Sequence, residues 1–317
     1  MREATCSAVS LALGEPIFAT ASRVRAWLLI EQPGPWGREA LFESRLDPIV
    51  GRALHRRARA AGVRVVLIRR PGRTAPGRRH VFLARTGSRT QWLEEVRADD
   101  PAELLGLDWA RLGHGDRGQG VPVPGTVYLA CTNGRHDQCC ATWGRPLALE
   151  LAALLGDRVW ECSHIGGDRF AGNLVCLPQG VYYGRLGPME AARVAGLHEQ
   201  GRLDLDHYRG RCIYPPVVQA AEHFLRRERR LTGLDDLVAE RSEIDSMGVV
   251  AVRFAPGAPG APGAAGAAGA AGREGGAGRW LVRVRATPSA NARPLTCQAA
   301  RPDRPPVYRL LDLAPVE

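Results

Sequence analysis

The chain contains no lysine. All 43 of its basic residues are arginine, set against 33 acidic residues, for a formal charge of +10. A basic balance of this size raises the question of nucleic acid. The arginines are spread along the chain, however, and form no single stripe. The densest groups are His55-Arg56-Arg57, Arg69-Arg70 with Arg78-Arg79, and Arg226-Arg227 with Arg229-Arg230. Aromatic residues are scarce, at 6%, and few interleave with these groups. Arginine-only basicity beside abundant Ala, Gly and Pro reads as codon bias and solvated surface charge, so no nucleic-acid partner is expected. No stretch approaches the ~18 apolar residues of a membrane span. The N-terminus, MREATCSAVSLALGEPIF, lacks the organisation of a signal peptide. The expectation is a cytoplasmic protein with no membrane attachment. No C-x-x-C pair occurs either, which removes the usual dithiol redox motif and the commonest short zinc pair.

Length and cysteine are present in quantity. The 317 residues suffice for about two domains with real cores. Eight cysteines occur, and five of them fall between Cys131 and Cys176, in a window that also holds His136, Asp137, His164 and Asp168. In a reducing compartment such clustering points to metal binding or catalysis and not to disulfides.

Periodicity divides the chain into three parts. Residues 1–120 read as β-α-β-β-β-α, opening with a leader of about 20 residues without clear period. Strands are expected at Val24–Glu31, Val63–Ile68, His80–Ala84 and Thr90–Val96, with helices at Asp47–Ala61 and Asp100–Leu107. Residues 121–205 repeat the pattern: strand Thr126–Ala130, a cysteine-bearing loop, helix Arg145–Leu155, strand Arg158–Ser163, a hairpin over Pro178-Gln179-Gly180, and helix Pro188–Glu199. The expected fold is α/β, two thioredoxin-like halves with mixed sheets, the first without metal ligands and the second carrying the site. Residues 206–317 form a helical and β-hairpin extension. Helices are expected at Pro216–Leu231 and within Gly233–Glu243, strands at Val249–Phe254 and Arg279–Ala286, and a Pro/Gly/Ala linker at 256–278.

Two segments carry the chemistry. One is Cys131-Thr-Asn-Gly-Arg-His-Asp-Gln-Cys139-Cys140; the other runs from Cys162-Ser-His164 through Ile165-Gly166-Gly167 to Asp168 and Asn173. Each leaves the end of a strand, and loops after parallel neighbouring strands open on one edge. Two thiolates from the first and an imidazole with a carboxylate from the second suit an iron–sulfur cluster or zinc, and spacing alone leaves both open. The paired glycines permit close backbone approach to a bound group.

The pattern C-x₅-D-x₂-C, a helix, then S-H-x-G-G-D-x-x-A-x-N resembles the sucrase/ferredoxin-like family. The first motif matches Cys131, Asp137 and Cys140; the second matches His164, Gly166, Gly167, Ala171 and Asn173. The resemblance runs roughly from residue 15 to 250, with Arg25–Gly37 looking like the family's N-terminal half. It implies a thioredoxin-like ferredoxin with a [2Fe-2S] cluster, two cysteines on one iron and two histidines on the other. Cys131, Cys140 and His164 would then be ligands, with Asp168 in place of the second histidine and Cys139 and Cys162 as alternates. A carboxylate there should lower the potential relative to imidazole, or else Asp168 supports another ligand. The implied role is one-electron transfer with a redox partner protein, a flavoprotein reductase being one candidate.

Two other functions compete. A thioredoxin-like thiol–disulfide oxidoreductase would use the vicinal Cys139-Cys140 pair. A zinc-binding, non-catalytic protein would use the same donors as a closed site. Cys176 in the apolar run LVCL reads as core, and Cys6, Cys212 and Cys297 read as bystanders. Asp137 could cap the helix that follows. Arg169 could offset cluster charge or simply face solvent.

Overall fold

The computed structural model describes residues 4–72, 77–88, 90–257 and 278–316. In the first half, Asp47 accepts a hydrogen bond from Ile49 N (2.7 Å) and Pro48 occupies the first turn, starting helix α2 (Pro48–Ala61). Gly62, in the left-handed region at φ 67°, ends it. A helix capped so tightly at both ends joins two parallel strands, β1 (Ala26–Glu31) and β2 (Val63–Arg69). Strand β3 (Arg79–Arg85) returns antiparallel to β1, and β4 (Trp92–Ala98) pairs with β3. A 3₁₀ turn (Pro101–Gly106) with an Asp100/Glu103 capping box follows, then α3 (Trp109–His114), which the sequence reading missed, and β5 (Val121–Pro122).

The second half repeats this layout. Strand β6 (Val127–Cys131), helix α4 (Gln138–Leu155) and strand β7 (Val159–Cys162) form the parallel unit. Strand β8 (Leu174–Leu177) lies antiparallel to β6, β9 (Val181–Tyr183) pairs with β8, and α5 (Pro188–Glu199) follows. Both halves therefore show the strand order second–first–third–fourth of a thioredoxin-like unit. Their second strands meet antiparallel, Ile68 beside Cys162 and Arg69 beside Glu161. With β10 (Tyr208–Arg211), the two halves build one continuous sheet in the order β10-β9-β8-β6-β7-β2-β1-β3-β4-β5.

Side chains alternate across this sheet. Trp27, Leu29, Ile68, Leu129 and Trp160 face one core, shared with Val218 and Leu225 of α6 (Pro216–Arg229). On the other face, Leu28, Ile30 and Leu67 pack against Leu54 of α2, and Tyr128 and Val159 pack against Leu147 of α4. Beyond α6, strands β11 (Leu237–Ile244), β12 (Val249–Pro256), β13 (Arg279–Pro288) and β14 (Pro306–Val316) form a sequential antiparallel sheet.

Three expectations change, and a fourth lies outside the described residues. The first 20 residues contain helix α1 (Cys6–Ala12), capped by the Thr5 side chain. Helix α4 begins at Gln138 and not Arg145, because Asp137 caps it and Pro146 sits inside it instead of opening it. The helix expected within Gly233–Glu243 is strand β11, whose pairing with β12 (Leu237 opposite Pro256, Ile244 opposite Val250) overrides local preference. Of the Pro/Gly/Ala stretch at 256–278, residues 258–277 lie outside the described residues. Among the described residues, no helix is long and apolar enough to cross a membrane.

Candidate metal centre

Strands β6 and β7 end side by side, with Cys131 in register with Cys162. Asp137 accepts from Cys139 N (2.8 Å) and fixes the first turn of α4. Neighbours on a helix point about 100° apart, so the vicinal thiols separate. Cys140 turns into the core beside Cys131 and Cys162. Cys139 turns away, toward Cys6, Ala171 and Cys297. The two cysteines thus serve different neighbourhoods, which removes the geometric basis for a vicinal dithiol.

The second loop is held by glycines in left-handed conformations, φ 96° at Gly166 and 84° at Gly167. A Cβ at Gly166 would meet Ser22 Oγ, and one at Gly167 would meet the Arg209 guanidinium. The room that the paired glycines leave is thus filled by two of the protein's own side chains and not by a bound group. Arg209, fully buried, donates to Gly166 O (3.0 Å), Asn173 Oδ1 (2.8 Å) and Thr20 O (2.6 Å). Asn173 Nδ2 in turn donates to Gly167 O (2.9 Å). The loop is rigid, and it sets Asp168 at the head of a single 3₁₀ turn.

Asp168 is the hub, with only 2% of its side chain exposed. Cys140 Sγ donates to its Oδ1 at 3.2 Å. His164 Nδ1 lies 2.9 Å from the same oxygen, and His136 Nε2 lies 3.5 Å from Oδ2. The two imidazoles stack, with centroids 3.7 Å apart. Burial works to raise the Asp168 carboxyl, but the closeness of the His136 and His164 ring nitrogens outweighs it and holds it below the usual carboxylate range. The nearby Asp168 carboxylate in turn raises His136 above the ordinary imidazole value. The neighbouring Cys140 and Cys162 thiols, aided by the nearby His164, hold Cys131 well below the usual thiol range. Those two thiols rise, Cys140 through its closeness to Cys131 and Cys162 through burial.

These groups could hold a metal: two neighbouring buried thiols, a buried carboxylate and an imidazole. His164 Nδ1 is buried without a well-directed hydrogen bond, despite its closeness to Asp168. That leaves a nitrogen lone pair or N–H to be satisfied by something else. The structure therefore brings together Cys131, Cys140, His164 and Asp168, adds Cys162 beside Cys131, and leaves Cys139 out. His136 was missed as a site residue. Its signal was its place one residue before the Asp137 cap, on the loop that faces Asp168.

The family model described as Sucrase/ferredoxin-like matches residues 17–210. The chain belongs to this family. No curated protein and no solved structure matches it. The sucrase/ferredoxin-like region covers both halves of the large sheet and ends at Gly210, short of the residue 250 expected from sequence. It includes every donor named above and excludes α1, α6 and the four-stranded sheet.

Outside that region, two supposed bystanders are not isolated. Cys6 and Cys297 meet Cys139. Cys176 and Cys212 are buried in core. Arg169 neither faces solvent nor approaches Asp168 as a counter-charge; its Nε donates to Glu15 at 2.9 Å. On the open side, His136 and His164 line a groove of about 900 Å³ together with Arg23, Arg25, Arg38, Arg59 and Arg64.

Proposed function

We propose that this sucrase/ferredoxin-like protein is a one-electron carrier holding a [2Fe-2S] cluster, with Cys131 and Cys140 on one iron and His164 with Asp168 on the other. The observation that carries the reading is the convergence of two buried thiols, an imidazole and a buried carboxylate on one sheet edge. Soft thiolates with imidazole suit iron–sulfur chemistry. The bound cluster would supply reversible storage of one electron.

The chain's own residues supply the rest. Burial of Cys131 and Cys140 excludes water from the thiolate side. The half-buried imidazoles of His136 and His164 form the exposed edge through which an electron would pass to a partner. Arg209, buried behind the loop, places a fixed positive charge near the anionic donors. The arginines of the groove favour a partner with an acidic face, and steering by such a patch weakens as salt rises. A flavoprotein reductase with an acidic docking surface satisfies this requirement.

One observation favours a second reading. Cys140 Sγ and Asp168 Oδ1 are 3.2 Å apart, a separation that suits two donors on one ion. A single zinc held by the same residues is therefore the alternative. An anaerobic UV–visible and EPR spectrum with iron and sulfide counts decides between them. The cluster reading expects a brown protein with about two irons and two sulfides per chain and a spin-half signal on reduction. A colourless, iron-free protein with stoichiometric zinc, prepared under cluster-forming conditions, overturns it.

A further inference from the structure

The thiols of Cys6, Cys139 and Cys297 form a triangle with Sγ–Sγ separations of 3.7 Å (6 to 139), 3.4 Å (139 to 297) and 3.5 Å (297 to 6). Asp137 Oδ2 completes a fourth corner, 3.5 Å from Cys6 Sγ. Three separate parts of the chain contribute: α1, the first turn of α4, and the C-terminal segment between β13 and β14. We propose that these four residues form a second metal site, a closed tetrahedral Cys₃Asp site for zinc that fastens both ends of the chain to α4.

The argument is geometric. A Zn–S bond of ~2.3 Å and a Zn–O bond of ~2.0 Å in a tetrahedron require S–S edges of about 3.8 Å and S–O edges of about 3.5 Å. The three thiol separations fall just below the first value, and Asp137 to Cys6 falls on the second. All four donor atoms lie within 4.8 Å of one another. A disulfide needs only two thiols, at about 2.05 Å, and has no use for a third thiol and a carboxylate.

The surroundings also suit thiolates. Cys6 N–H donates to Cys297 Sγ (3.3 Å), and Ser7 Oγ–H donates to Cys139 Sγ (3.2 Å). Asp137 is held by backbone on both oxygens: Oδ1 accepts from Cys139 N (2.8 Å) and Oδ2 from Cys297 N (2.6 Å). Outer hydrogen bonds of this kind orient metal ligands. Beside the triangle, buried Glu15 accepts from Arg169 (2.9 Å) and pairs with Arg293 (2.9 Å), which ties the same two chain ends together again.

The site is independent of the cluster reading, and a paired experiment keeps the two apart. Full-length protein isolated with reductant is analysed for zinc, iron and sulfide beside the Cys297→Ser and Cys131→Ser variants. The expected result is about one zinc per chain, lost in Cys297→Ser with iron unchanged, and retained in Cys131→Ser. Zinc undiminished in Cys297→Ser, or loss of iron alone from that variant, overturns the proposal. Should Cys297→Ser not fold, alkylation of wild-type protein with mass mapping answers instead. Added zinc chloride is expected to shield Cys6, Cys139 and Cys297 together, and a chelator to expose them. Equal labelling with and without zinc, or a disulfide joining two of the three in protein isolated without metal, overturns it.

Discussion

At Asp168 a carboxylate is buried against two imidazoles and a thiol, and in the proposed cluster it would ligate one iron. An anionic oxygen donor stabilises the oxidised metal more than a neutral imidazole does. Two-histidine centres lie near −150 to +300 mV, against about −400 mV for all-thiolate ones. Asp168→His should therefore raise the reduction potential, by on the order of 100 mV on that scale. A redox titration followed by EPR reads the change, and an unchanged potential would remove Asp168 from the ligands. Gly167 tests the scaffold behind it. Alanine there must adopt φ 84° and displace the Arg209 guanidinium, which also holds Thr20 and Asn173. The left-handed backbone alone costs ~1–2 kcal/mol for an L-residue. Gly167→Ala is expected to lose at least that much in urea unfolding and to retain less metal. A variant as stable as wild type would show that Arg209 has room to move.

Elements with local causes were legible in the sequence, and those with distant causes were not. Helix α2 has Asp47 to start it and Gly62 to stop it, and both signals are local. The repeated strand–helix–strand order was legible for the same reason, as were the four candidate ligands that the fold brings together, which sit in two short runs. Strand β11 was not, because its partner β12 selects it and no local signal does. Cys6 and Cys297 were not, because 291 positions separate two residues whose sulfurs lie 3.5 Å apart. His136 and the real tenants of the Gly166-Gly167 space emerged only from tertiary placement. Helix α6 carries a further feature invisible to periodicity: Glu222 and Arg226 form an ion pair (3.0 Å) with both side chains fully buried. Tyr208 donates to Glu222, and Arg226 donates to Leu231 O and Gly233 O, fastening α6 to the sheet edge and to the chain leading into β11. Removing one partner of such a pair leaves a buried charge unmatched, at ~3–5 kcal/mol. Glu222→Ala should lose about that much stability, while Glu222→Leu combined with Arg226→Met should recover most of it. Equal losses in the single and double variants would show that the backbone bonds of Arg226, and not its charge pairing, stabilise this junction.

For the molecule as a whole, one sheet passes through both halves, and α5 and α6 pack on it in the second half. Each of these two helices buries a histidine that burial holds in its neutral form: His198 on α5 and His223 on α6 are both pushed down to about 4. His198 Nε2 and His223 Nδ1 have no hydrogen-bond partner among the described residues, so the folded state offers a proton little at either place. The unfolded chain, with histidines near pH 6.5, takes up protons first as pH falls. Their contribution to stability is thus complete above about pH 6.5, declines as pH falls from there toward 4, and levels off below. At 1.36 kcal/mol per unit, His198 alone accounts for about 2 kcal/mol lost between pH 7 and pH 5. His223 is less deeply enclosed and stacks on Phe18 at 4.1 Å, so its share is smaller. Urea unfolding at the two pH values measures the loss. His198→Gln, which keeps a polar group facing Tyr183 Oη but cannot titrate, should remove about 2 kcal/mol of that pH dependence. Cys131, Cys140 and Cys162 belong to a different core from the α5 residues around His198, so a pH dependence that persists undiminished in His198→Gln would locate acid sensitivity in that thiol and carboxylate group instead of in the helices that cover the sheet.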